Sequence, residues 1–460
     1  MEKKIAWTKY DDKTKNEVFS FNEEYKEFLS TCKTERECAD FILEKAKKAG
    51  FVEINSVDSL KPGDKVYAIN QSRLLVLFKI GKEDISKGMN IVGAHTDAPR
   101  LDLKQNPLYE DDASKTALLK THYYGGIKKY QWVTTPLAIH GVVYKTSGEE
   151  IKISIGEKGD DPVFGISDLL IHLSKDQMQK TLSEGITGEG LNVFIGSIPL
   201  QEDDDKTSTK KNILNLLKEK YDIEEEDFVS AELEIVPAGK ARDYGLDRSF
   251  VAGYAHDDRV CSYTMFRAIM DAQDAEKTCV AIFADKEEVG SMGATGMRSK
   301  FFENACAKVQ RGLNKTYDSI MLRDALENSA MLSADVNAGY DPNFPDVVEK
   351  YNTAYIGKGA AFAKYTGSRG KGGSSDADPK FIAKLRKLLD DADISYQTAE
   401  LGKVDQGGGG TIAYILAEYG MDVIDCGVAV HNMHAPMELV SKADVYETYR
   451  CYKEFYKKYK

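Results

Sequence analysis

The sequence predicts an α/β protein: a mixed sheet flanked by helices, interrupted by an inserted, mainly β segment. Three observations predict it. Short apolar runs such as "RLLVLFKIG" are hydrophobic throughout, as strands covered on both faces are. Beyond about residue 250, strand-like and helix-like stretches alternate. Between them, residues 106–239 read as hairpins and polar loops.

Along the chain, "TERECADFILEKAKKAGF" places Cys38, Phe41, Ile42 and Ala46 on one helical stripe that ends near Gly50. "KVYAIN", "RLLVLFKIG" and "MNIVGAHTD" follow as strands. "PLAIHGVVYKTSGEEIKISIGE" is a hairpin turning at "TSGE", and "QEDDDKTSTKK" has the clustered charge of an exposed loop. Further on, "HDDRVCSYTMFRAIMDA" and "DPKFIAKLRKLLDDA" are helical, whereas "TCVAIFAD", "AMLSADV" and "MDVIDCGVAV" are strands. Strands on either side of the middle region share one character. Residues 1–105 and 240–460 therefore form one domain, into which 106–239 is inserted.

Composition narrows the function. A formal charge of -12 argues against a nucleic-acid binder, which needs a basic face. No segment approaches the roughly 20 apolar residues of a membrane helix, and the start carries no apolar stretch of signal-peptide length. Seven cysteines without a C-x-x-C pair suit reduced thiols, so a cytoplasmic location is expected.

Acidic residues and histidines cluster where apolar runs end. "IVGAHTDAP" supplies His95 and Asp97, "YAHDDRV" supplies Asp257 and Asp258, and "FADKEEVG" supplies Glu287 and Glu288. "MLSADVNAG" supplies Asp335, and "HNMHAPME" supplies His431 and His434. Each alone has a plain reading: a histidine after a strand is commonly a hydrogen-bonded boundary residue, and "DD" before a helix is commonly a cap. Five such sites together are poorly explained as independent accidents, because ligands in open α/β sheets bind outside the carboxyl ends of strands. Imidazoles mixed with carboxylates favour zinc, cobalt or manganese over calcium or magnesium. Two histidines and three carboxylates exceed one tetrahedral shell but suit two ions that share a bridge. One of the paired glutamates would then bind metal while its neighbour faces the attacking water.

With these residues in hand, the chain resembles the aspartyl aminopeptidase and vacuolar aminopeptidase I family of dizinc exopeptidases (metallopeptidase family 18). "VGAHTDAPRLDLK", "DKEEVGS", "SADVNAGYDP" and "MHAPMEL" carry the resemblance, with "YYGGIKKYQW" and "LLIHLS" in the insertion. It implies a zinc exopeptidase fold and removal of the N-terminal residue from peptides with a free N-terminus. It further implies that His95 and Asp335 complete one ion's shell, that Glu288 and His434 complete the other's, and that Asp257 bridges them. The peptide bond after Asp257 is expected to be cis. Glu287 would be the general base and Asp97 would orient His95. His172 would reach a neighbouring subunit's active site from an inserted dimerisation and lid domain, within dimers that assemble further into dodecamers.

The family name implies a preference for N-terminal Asp or Glu, which requires a cation near the first side chain. Here the corresponding region reads "YTGSRGKGGSSDADP", which offers Arg369 or Lys371 without matching the family's motif; neutral or basic preference stays open. "DQGGGGTIAYILAEYG" resembles a phosphate cradle but lacks the P-loop lysine, so a compact turn is expected.

Overall fold

The computed structural model describes residues 5–201 and 207–460, which divide into two compact units. The first comprises 1–97, 241–433 and 438–460; the second comprises 98–240 and 434–437.

The first unit is built on a nine-stranded mixed sheet. Its centre is four parallel strands, in the order Thr278–Ala284, Met89–His95, Ala330–Ser333 and Asp422–Gly427. Antiparallel partners Leu74–Lys79 and Ala360–Ala363 flank them. Period-two alternation sorts the apolar side chains onto two faces. Leu75, Leu77, Val92, Ala94, Ala281 and Phe283 pack with Tyr25, Ile42, Phe266, Leu385 and Phe455, from helices Asp12–Thr31, Glu35–Lys48, His256–Asp271, Pro379–Asp391 and Lys442–Lys458. Val76, Phe78, Ile91, Val280, Ile282 and Met331 face the other way, onto helices Phe301–Asn314, Ser319–Glu327 and Ala413–Ala417. Both faces are covered, which is why these strands read as unbroken apolar runs.

The expected helix near residue 40 is Glu35–Lys48, started by a capping box between Thr34 and Glu37. A smaller five-stranded sheet pairs Phe250–Gly253 with Glu438–Ser441, and that strand with Ala429–His431. The glycine tract was expected to be a compact turn; the turn instead lies at 404–406, and Gly408–Gly409 forms a short strand paired with Gly367–Ser368, where a Cβ at Gly408 would lie 2.2 Å from the Gly367 carbonyl oxygen. All seven cysteines are buried free thiols. Among the described residues no helix is long and apolar enough to cross a membrane.

The second unit is a six-stranded antiparallel sheet, ordered Glu150–Ile155, Leu137–Tyr144, Ala231–Pro237, Arg100–Glu110, Ala117–Tyr124 and Val193–Gly196. The "TSGE" hairpin is present within it. Two features differ from the sequence reading. The units change over at Asp97 and Ala98, and position 105/106 falls inside the strand Arg100–Glu110. The polar tract 201–211 was expected to be loop: 202–206 lie outside the described residues, but Thr207–Ser208 pairs with Leu200–Gln201, and Thr209 begins the helix Thr209–Tyr221. Ser208 caps that helix, its hydroxyl accepting the Lys211 N–H.

Candidate metal centre

Three adjacent parallel strands of the nine-stranded sheet end on one side. Ala284 stands opposite His95, and Ser333 opposite Gly93. The chain leaving those ends carries His95 and Asp97, then Glu287 and Glu288, then Asp335. Asp257 and Asp258 arrive from the start of the helix His256–Asp271, where Ala255 is left-handed and both aspartates depart from helical backbone angles. The bond between them is cis.

His95 is buried. Its Nδ1 lies 3.0 Å from the Asp97 carbonyl oxygen and 3.3 Å from Asp97 Oδ1, which leaves the opposite ring edge for other donors. On that edge Nε2 is 3.3 Å from Asp257 Oδ1 and 4.0 Å from Glu287 Oε2. One donor atom each from His95, Asp257 and Asp335 lie within 4.8 Å of one another, and the same holds for His95, Glu287 and Glu288.

Asp97 does more than face the imidazole. Its Oδ1 accepts the Glu287 N–H at 3.1 Å and its Oδ2 accepts the Glu288 N–H at 3.2 Å. One buried carboxylate thus holds the turn Glu287–Val289, which the chain enters through left-handed Lys286. Asp258, whose role the sequence did not suggest, accepts the His95 N–H at 3.3 Å. Glu438, likewise unforeseen, accepts the Asp257 N–H at 2.9 Å. Such bonds to backbone leave no side-chain signature; the only sequence hint is the acidic residue that closes "HAPME".

The electrostatics favour a cation. Burial alone would lower the pKa of His95, yet the Asp257 and Asp97 carboxylates outweigh it and hold the ring well above the usual histidine range. Burial, reinforced by the Asp258 charge, pushes Asp335 well above the usual carboxylate range. Burial raises Asp258 in the same way. Crowded carboxylates around one imidazole are what a divalent ion neutralises, and the mixed nitrogen and oxygen donor set fits zinc.

The remaining predicted residues fall as follows. His434 lies in the segment 434–437 of the second unit, where its Nδ1 is 2.8 Å from the Gly126 carbonyl oxygen; donation there puts the ring's lone pair on Nε2. His172 is exposed on the turn Ile171–Leu173 of that unit. Two further histidines, beside these motifs in the sequence, have other partners. His256 lies 3.1 Å from the Val251 carbonyl through Nε2 and 2.5 Å from the Tyr25 hydroxyl through Nδ1, and burial lowers its pKa to about 3. His431 bonds the Tyr340 carbonyl. Lys371 is paired with Asp376 at 3.0 Å and sits over the Tyr365 ring; it and Arg369 both line a small cavity with Tyr365, Glu400 and Lys403.

The family model described as Aminopeptidase I zinc metalloprotease (M18) matches residues 28–456. The chain belongs to the M18 aminopeptidase family. A probable M18 family aminopeptidase 1 from Clostridium acetobutylicum is 60% identical over 99% of this chain and 98% of its own. The crystal structure of an M18 aminopeptidase from Thermotoga maritima superposes with a TM-score of 0.95 at 44% identity, covering all of both chains. The S. cerevisiae mApe1 dodecamer shares the fold, with a TM-score of 0.75 at 21% identity over 94% of this chain and 95% of that one. This M18 aminopeptidase is therefore a zinc metallo-exopeptidase, a hydrolase that acts at peptide N-termini.

Proposed function

We propose that this aminopeptidase works with two divalent ions, zinc in the first instance with cobalt or manganese able to replace it. His95 and Asp335 would hold one ion, Glu288 and His434 would hold the other, and Asp257 would be shared between them. The carrying observation is the convergence of His95, Asp257 and Asp335 on one small volume, with Glu287 and Glu288 beside the same imidazole. Bound zinc supplies Lewis acidity, which acidifies water and polarises a carbonyl.

The chain's own residues supply the rest. Glu287 takes the proton of the attacking water and delivers it to the amine that leaves. Its neighbour Glu288 serves as the ligand, and both carboxylates reach the same imidazole from a turn whose two N–H groups are fixed by Asp97. Asp97 also orients His95 so that Nε2 faces the donors. Water is a poor nucleophile and an amine a poor leaving group, so a base that returns its proton serves both halves of the reaction.

The substrates are peptides with a free N-terminus. Selectivity for N-terminal Asp or Glu falls to Arg369 or Lys371, the two cations of this stretch that line one small cavity. The second unit makes the contact between subunits, and dimers assemble further, toward a dodecamer. Its segment around His172 supports this reading: Leu170, Ile171, Leu173 and Met178 are all exposed, a density of apolar surface that marks interaction sites. A panel of aminoacyl and dipeptide substrates, assayed after chelation and after adding back zinc, cobalt or manganese, tests the whole. The proposal predicts loss and recovery of turnover with metal, and higher kcat/KM for acidic first residues. Activity that survives thorough chelation contradicts the mechanism, and a flat response across side chains removes only the acidic pocket.

A further inference from the structure

We propose that Glu438 is a positioning residue for Asp257, and through it for metal retention and turnover. The inference rests on the reading of Asp257 as the bridging ligand.

The five-stranded sheet brings Glu438 there. Strand Glu438–Ser441 runs antiparallel to Phe250–Gly253, with Gly253 opposite Glu438, just before the chain turns through Ala255 into the site. Glu438 is 1% exposed, and its Oε2 accepts the Asp257 N–H at 2.9 Å. The first N–H groups of a helix have no intrahelical acceptor, and Ala255 offers no side chain to cap this one.

A hydroxyl or amide would cap a helix without adding charge. A carboxylate instead places another anion beside Asp257 and Asp258, both buried, where like charges repel. That arrangement is stable when cations sit among the carboxylates, and it yields a charge-assisted bond stronger than a neutral one. Residues 257 and 258 are then tied at two points: the Asp257 N–H to Glu438, and the Asp258 carboxylate to the His95 N–H. The backbone from which the Asp257 side chain departs is thereby held on both sides. Glu438 also directly follows the segment 434–437 that carries His434, so one short stretch of chain supplies a ligand and the tether of another.

A stability cap and a positioning residue differ in what they change. In the full-length protein, Glu438→Met is expected to fold with an apo Tm near the parent's. Its zinc retention against a competing chelator should fall about 10- to 100-fold, as loss of a ligand's supporting partner does. Turnover should fall through kcat with KM little altered. Glu438→Gln keeps an oxygen for the N–H and should recover most of both. Should Glu438→Met fail to fold, Glu438→Asp decides: its shorter reach should weaken zinc retention, and parental retention overturns the proposal. Parental zinc retention and kcat in Glu438→Met overturn it too, as does a lowered apo Tm with unchanged zinc affinity. Asp257→Asn separates the two failures. If that variant holds zinc as the parent does, the bridging assignment itself is wrong; if it loses zinc while Glu438→Met does not, only the role of Glu438 falls.

Discussion

A base that takes a proton from water must be aimed, and Glu287, the proposed base, is held through its backbone. The two N–H groups of Glu287 and Glu288 end on the two oxygens of one buried carboxylate, Asp97. Glu287→Gln is therefore expected to keep its metal and lose nearly all turnover, measured as zinc per chain beside kcat. Loss of zinc instead would mean that the two glutamates have exchanged roles. Asp97→Asn puts an amide NH2 against one of those N–H groups and weakens the hold on His95. Activity should drop about 10- to 100-fold, with a smaller change in Tm. A drop in Tm with normal activity would make Asp97 merely structural. The clustering of these acidic residues and histidines was legible in the sequence because most of them follow apolar runs, whereas the division of roles between Glu287 and Glu288 came from the family resemblance. The double grip of Asp97 was not legible, because it depends on a loop conformation set by left-handed Lys286.

At the level of elements, the ligands are placed by register. His95 and Asp335 leave neighbouring parallel strands, and the strand Asp422–Gly427 lies against the second of these. Gly427 marks the close approach: a Cβ there would come 1.9 Å from the Asp335 carbonyl oxygen. Gly427→Ala must push the Asp335 backbone aside. Overpacking of this kind costs about 1–3 kcal/mol, and the variant should show lower apo stability by denaturant unfolding together with weakened zinc retention. Parental zinc affinity would show that the Asp335 backbone can yield without moving its carboxylate. The sheet itself was readable, since strands covered on both faces must be apolar throughout. The point where the units change was harder. Arg100–Glu110 carries the polar run Lys104–Asn106 at its middle, so the apparent change of composition falls inside one strand rather than at its boundary. The helix after the acidic tract was hidden by "TSTKKN", whose polarity masks a Ser208 cap.

For the whole molecule, the exposed apolar turn around His172 calls for a partner. Ile171→Asp with Leu173→Asp should yield a smaller particle in light scattering, with zinc content unchanged. If His172 serves a neighbouring subunit, turnover falls with particle size; full activity in the smaller particle would make His172 dispensable. Metal removal acts at this scale too. An ion bound only by the folded chain stabilises it by mass action, about 4 kcal/mol at a thousandfold excess over Kd, so chelation should lower Tm as well as stop turnover. The claim on which all this depends is that two cations lie among His95, Asp257, Glu288, Asp335 and His434. Anomalous diffraction at the zinc edge, on crystals of freshly purified protein, measures it directly. Two peaks are predicted, roughly 3.5–4 Å apart, with Asp257 between them and Glu287 bound to neither. A single peak, or none at these side chains, would contradict the account.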